Sequence, residues 1–94
     1  MVTAIVLLNV ERDKVNETAD ILAQMEGISE VYSVAGRYDL ATMIRVKDNE
    51  DLAELITNHM LKISGITKTE TLIAFRAYSS YDLERIFSIG MENE

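Results

Sequence analysis

The sequence contains no cysteine, no proline and no tryptophan, and only four glycines. Without cysteine there can be no disulfide framework, no thiolate zinc site and no thiol nucleophile, and the chain needs no oxidising compartment. Positive charge is also scarce, because nine Lys and Arg residues stand against sixteen Asp and Glu residues, for a formal net charge of -7. Such a surface repels a phosphate backbone, so we expect no direct binding of nucleic acid by this chain.

The length of 94 residues suits one domain, and we expect residues 1–94 to form a single one. A chain of this size has a thin core, which self-association would supplement. The first ten residues are apolar but lack a basic leader region and a cleavage site, and Glu11 and Arg12 end the run far short of a membrane span. We therefore expect a cytoplasmic protein that does not contact a membrane.

Apolar periodicity divides the chain into alternating strands and helices. The pattern predicts strands over 2–10, 28–35, 40–47 and 66–78, helices over 13–26 and 48–64, and a short C-terminal helix with an acidic tail in 79–94. The order is β-α-β-β-α-β, which is typical of an α+β, ferredoxin-like fold. Right-handed crossovers place both main helices on one face of an antiparallel sheet, with the first and third strands in its middle.

The other face of the predicted sheet is too apolar to remain in water. Its side chains come from one set or from the alternate positions beside it: Ile5, Leu7, Ala41, Met43, Leu72 and Ala74. A second copy of the chain is the simplest cover for such a face, and two-fold dimers are the commonest homo-oligomers.

Few residues suggest catalysis or metal binding. His59 is the only histidine, and its place beside the apolar stripe of the second helix suits a packing or helix-end residue. The acidic run 48–51 lacks calcium-loop spacing, and Asp48 as a helix cap accounts for it. Ser79 and Ser80 lack the context of a nucleophile. We therefore predict no catalytic residue, no metal site and no cofactor.

The segment Gly36-Arg37-Tyr38-Asp39 joins the second and third predicted strands. A structural role explains it well, because glycine permits positive φ and aspartate accepts backbone amides in turns. A ligand-binding role is the alternative, because one cation and one anion on an exposed turn match the two charges of a free amino acid. The residues alone leave both roles open.

Three segments together resemble a known family. They are the apolar start VTAIVLL, the string E-V-x-x-x-x-G-x-Y-D over 30–39, and G-I-x-x-T-x-T over 65–71. They resemble the effector-binding (RAM) domain of the Lrp/AsnC, or feast/famine, transcriptional regulators, and the resemblance covers residues 2 to about 78. It implies that two ferredoxin-like subunits form a dimeric α/β barrel, and that dimers assemble into ring-like homo-oligomers.

The resemblance also implies a function and a site. Small effectors, commonly amino acids, bind between dimers in that family, against the turn and nearby strand residues. Carried over by motif, the ligand-binding residues here are Gly36, Arg37, Tyr38, Asp39, Thr69 and Thr71. In this interpretation turn amides receive a carboxylate and Asp39 pairs with an ammonium group.

Full-length members of the family carry an N-terminal helix-turn-helix domain, whereas the first strand here begins at residue 2. The expectation is therefore a stand-alone, amino-acid-binding regulatory domain that acts as a homo-oligomer or by assembling with full-length Lrp/AsnC-type regulators. The alternative from another class is a small dimeric α/β-barrel enzyme, such as a cofactor-free monooxygenase. Its site would lie inside the subunit, with His59 and Tyr32 as the available polar groups.

Overall fold

The computed structural model describes residues 1–78, and the helix predicted within 79–94 lies outside this part of the chain. The main elements follow the predicted order: β1 (Val2–Val10), α1 (Val15–Ala23), β2 (Ile28–Ser33), β3 (Leu40–Val46), α2 (Asn49–Asn58) and β4 (Ile66–Ile73). Short 3-10 helices precede α1, at Arg12–Lys14, and follow α2, at Met60–Lys62. Neither α1 nor α2 has the length and apolar character needed to cross a bilayer.

The four strands form one antiparallel sheet in the order β2-β3-β1-β4. β1 and β3 are central, as predicted, and this is the ferredoxin-like arrangement. Directly paired residues share a face of a sheet. Val6 therefore lies beside Thr42, and Leu8 beside Leu40, on the face that the helices cover.

The core lies between this face and the two helices. β1 contributes every second residue to it, because successive side chains of a strand point to opposite faces. Its buried apolar side chains are Ala4, Val6, Leu8, Val10, Leu22, Ile28, Leu40, Ile44, Leu52, Leu55 and Met60. One polar side chain is out of place there, because the fully buried hydroxyl of Thr42 has no hydrogen-bond partner in the described part of the chain.

Local signals in the sequence fix the start of α2. The Asp48 carboxylate accepts a hydrogen bond from the backbone N–H of Asp51 at 2.9 Å, which is the predicted cap. α1 is shorter than the predicted 13–26, because the chain before Val15 forms a 3-10 turn and the helix ends at Ala23. Gly27 then adopts a φ of +96°, where a side chain would also crowd Val46.

Two predicted strands are too long, and the reason is the same for both. β4 ends at Ile73 and not at Tyr78, because its partner β1 begins at Val2, and the last contact is from the Ala74 N–H to the Thr3 carbonyl at 2.9 Å. β2 ends at Ser33 and not at 35, because Ser33 is paired with Leu40, the first residue of its partner β3. A strand ends where its partner ends, which periodicity cannot reveal.

The second face of the sheet carries the apolar set that the sequence predicts. Ile5 of β1 lies between Met43 of β3 and Leu72 of β4, and Leu7 lies beside Ala41. Leu72 is 45% exposed. No helix of residues 1–78 covers this face, which we call the open face. It extends across the sheet from the edge strand β2 to the edge strand β4.

Candidate functional site

The turn between β2 and β3 presents unused hydrogen-bond donors. It is closed by a hydrogen bond from the Val34 N–H to the Asp39 carbonyl, at 3.0 Å. Gly36 has a φ of +129°, which favours glycine, and space is open where a side chain would stand. Within residues 1–78, the backbone N–H groups of Gly36, Arg37 and Tyr38 donate to no protein acceptor. Successive amides of this kind can receive an anion.

Asp39 ties this turn to the end of β1. Its backbone N–H donates to the Leu8 carbonyl at 2.9 Å, and its carboxylate oxygen Oδ2 accepts the backbone N–H of Val10, also at 2.9 Å. The side chain thus continues the ladder between β3 and β1 beyond Leu40. These bonds give Asp39 a structural role, which is one of the two roles that the sequence left open. Its other carboxylate oxygen, Oδ1, has no partner among residues 1–78.

Tyr38 reaches across β1 to the edge strand. Its hydroxyl donates a hydrogen bond to the Glu70 carboxylate, and the Lys68 ammonium lies 5.7 Å from the centre of its ring. Glu70 is paired with Leu7, and Lys68 with Asn9, so both lie on the open face of the sheet. The hydrogen bond to Glu70 raises the pKa of Tyr38 above its usual value, because it favours the protonated phenol.

The two predicted threonines lie on the other face. Thr69 is paired with Leu8 and Thr71 with Val6, so both are on the side of the helices. The structure therefore brings Tyr38 to Lys68 and Glu70 and not to the threonines. Lys68 and Glu70 are not among the predicted site residues, although the alternation along β4 puts them on a common face.

Two cations beside Tyr38 have no carboxylate partner within residues 1–78. Lys14 pairs with Glu11, and the His59 imidazole lies near Glu54, each at 3.8 Å. Arg37, which is exposed on the turn, and Lys68, at the ring of Tyr38, take part in neither. The turn and the start of β4 thus each present a cation without a carboxylate partner, Arg37 next to Tyr38 in the sequence and Lys68 at its ring.

A pocket of about 480 Å³ lies at the opposite end of the sheet. Its walls come from the end of β3, the two residues before β2, and α2 with the residue after it, and it includes His59, Glu54 and Arg45. His59 is 56% exposed, and residues 1–78 contain no group of three or more side chains able to hold a metal. The Tyr32 hydroxyl donates to Glu30 at 2.7 Å, on the edge strand β2. The two polar groups that the enzyme alternative requires therefore do not meet in one cavity.

A family model described as the Lrp/AsnC ligand binding domain matches residues 3–83. The chain belongs to this family. The transcriptional regulator FL11 of Pyrococcus abyssi is 33% identical over 75 residues, which are 80% of this chain and 49% of that protein. The chain spans about half the length of the curated relatives it matches. These relatives are transcriptional regulators, and the enzyme alternative is not supported.

Solved structures agree with this assignment. The protein TTHA0845 from Thermus thermophilus has a TM-score of 0.80 and 42% identity, over 84% of this chain and 99% of that one. A feast or famine regulatory protein from M. tuberculosis, complexed with L-methionine, has a TM-score of 0.72 and 20% identity. That similarity covers 85% of this chain and 54% of the other and bears on the fold alone.

Proposed function

We propose that this Lrp/AsnC ligand-binding domain binds a free amino acid at the turn of Gly36–Asp39 and acts as a regulatory module. The observation that carries the proposal is the set of unused donors at this turn, the N–H groups of residues 36–38 beside the unpaired Arg37. An α-carboxylate matches such donors. The free oxygen Oδ1 of Asp39 is an acceptor for the α-ammonium group.

The anchoring of the turn supports this proposal. Because Asp39 is tied to both Leu8 and Val10, the donors are held in place before a ligand arrives. A site arranged in advance loses less entropy on binding than a mobile loop does. Thr69 and Thr71, on the other face of β4, have no part in this version of the site.

The proposal includes self-association through the open face of the sheet. Ile5, Leu7, Met43 and Leu72 form a contiguous apolar surface on three neighbouring strands. A second copy that packs its own open face on this one would make the dimeric α/β barrel, and a two-fold contact lets the same residues serve both subunits. Higher, ring-like assembly of such dimers would then place turns of different dimers side by side.

The partners proposed for the module follow from its relatives. The curated relatives are helix-turn-helix regulators, and one solved protein of this fold holds L-methionine, although at 20% identity. The ligand class proposed here is therefore a free amino acid, and the protein partners are copies of this chain or full-length regulators of the family.

A thermal-shift screen of the purified chain against the twenty amino acids tests the function. A ligand that binds only the native state raises the melting temperature. We expect at least one amino acid to do so in the native chain and to lose its effect in Arg37→Met, while Arg12→Met, outside the turn, keeps it. If no amino acid shifts the native chain, or if the shift survives in Arg37→Met, the proposed site is wrong.

A further inference from the structure

The charges around Tyr38 narrow the class of amino acid that the site can prefer. Two carboxylates lie nearby, and each already accepts a hydrogen bond: Asp39 from the Val10 N–H, and Glu70 from the Tyr38 hydroxyl. The two cations, Arg37 and Lys68, have no carboxylate within 4.0 Å among residues 1–78. The acceptors of the site are thus partly used, while its charged donors are not.

Lys68 is placed as a second anchor, separate from the turn. Its ammonium group lies 5.7 Å from the ring centre of Tyr38, where the π face attracts a cation but does not satisfy its three N–H donors. Arg37 is the residue immediately before Tyr38 and lowers the pKa of its hydroxyl, against the larger opposing effect of Glu70. Both cations are therefore close to the same ring.

We propose that the effector is an amino acid with a second carboxylate, such as glutamate or aspartate. The inference rests on the function proposed above and names the ligand class for the same site. The α-carboxylate binds the turn amides and Arg37, the α-ammonium group binds Oδ1 of Asp39, and the side-chain carboxylate binds Lys68. This uses two unpaired cations and one free carboxylate oxygen, which matches the two negative groups and one positive group of the ligand.

The neutral amides, glutamine and asparagine, are the sharpest comparison, because they have nearly the same shape as the two acids. Isothermal titration calorimetry should give a dissociation constant about tenfold lower for the better acid than for its amide, since a charge-assisted hydrogen bond contributes on that order. In Lys68→Met the acid and the amide should bind within about threefold of each other, with the affinity for the amide unchanged.

Lys47→Met is the matched control. Lys47 follows the far end of β3, about 26 Å along an extended chain from Asp39, and it lines the pocket at the opposite end of the sheet. The preference for the acid should survive this change. Loss of the preference in Lys47→Met instead of Lys68→Met would place the acid in the other pocket and overturn the proposal.

The outcomes separate this inference from the function on which it rests. If a neutral amino acid binds at least as tightly as both acids, and Arg37→Met abolishes that binding, the turn is an effector site but the acidic ligand class is wrong. If none of the twenty amino acids binds, the proposed function fails and the ligand class fails with it. An acid preference that persists in Lys68→Met contradicts the role of Lys68.

Discussion

The carboxylate of Asp39 holds the backbone N–H of Val10, 29 positions earlier in the chain, at 2.9 Å. Val10 is the last residue of β1 and is 6% exposed. The bond therefore joins the turn of Gly36–Asp39 to the end of the central strand β1, and the same residue that shapes the turn also completes the sheet.

Replacing Asp39 should accordingly weaken the fold. Asp39→Ala leaves the Val10 N–H without its acceptor, and we expect the free energy of unfolding to fall by about 1–3 kcal/mol, measured by urea denaturation. Asp39→Asn keeps an acceptor oxygen and should lose less. Asp20→Ala, on the exposed side of α1, is the control and should stay within about 0.5 kcal/mol. Equal stability of Asp39→Ala and the native chain would contradict this role.

Asp39 and Val10 are 29 positions apart in the sequence, and contacts between such distant segments are what the sequence could not predict. Neighbouring residues determine the cap at Asp48, the alternation of β1 and the succession of strands and helices along the chain, and these predictions are confirmed. The end of β4 depends on where β1 begins, so the prediction that it continues to Tyr78 is wrong. Periodicity within one segment contains no information about its partner.

The same holds for the candidate site: its local turn could be predicted from the sequence, and its contacts with distant segments could not. The motif predicts the turn at Gly36–Asp39, and the turn lies there. It cannot predict that Tyr38 hydrogen-bonds to Glu70, 32 positions later, because that contact depends on the order of strands across the sheet. The resemblance implies Thr69 and Thr71, which lie on the face of β4 opposite to Lys68 and Glu70. A one-residue step along a strand exchanges one face of the sheet for the other.

The open face provides a prediction about assembly. Leu7→Glu or Met43→Glu places an unpaired charge on the apolar surface, and a charge buried in a dry interface is strongly unfavourable. We expect each variant to sediment as a monomer, while Ala53→Glu, on the exposed side of α2, leaves the assembly intact. A native chain that is itself monomeric at micromolar concentration would contradict the prediction.

The unpaired hydroxyl of Thr42 is a defect that substitution can remove. Thr42→Val replaces the hydroxyl with a methyl group of similar size. The variant therefore no longer buries a polar atom without a hydrogen-bond partner, which is unfavourable for the folded state. We expect the free energy of unfolding to rise by about 1 kcal/mol. Thr57→Val is the comparison: its hydroxyl is exposed and donates to the Ala53 carbonyl at 2.6 Å, so the change should bring no gain. A loss of stability in Thr42→Val would show that the hydroxyl has a partner.

The negative charge of the chain predicts its behaviour toward DNA. With a formal net charge of -7, the isolated chain should not retard duplex DNA in a gel, even at low salt, where electrostatic attraction is least screened. A full-length FL11-type regulator on its own operator is the positive control. A shift by the isolated chain that weakens with added salt would contradict the expectation.

The bond from Tyr38 to Glu70 predicts a pH dependence in the alkaline range. The hydrogen bond raises the pKa of Tyr38 above its usual value of 10.0 in the folded chain. A raised folded-state pKa gives a contribution to stability that is complete below pH 10.0 and is lost as the pH rises through the higher, folded-state value. Tyr38→Phe keeps the ring under Lys68 but removes this contribution. Between pH 10.0 and the folded-state pKa of Tyr38, the stability of the variant should therefore fall less steeply than that of the native chain. Tyr32→Phe is the control. It removes the equivalent hydrogen bond to Glu30, which also raises the pKa of Tyr32, and leaves the contribution of Tyr38 in place.

The difference in stability between the native chain and Tyr38→Phe, measured by urea denaturation at a series of alkaline pH values, isolates the contribution of the Tyr38 hydrogen bond. Parallel curves for the two proteins would show that the phenol titrates alike in the folded and unfolded chain, so that Glu70 does not hold its proton.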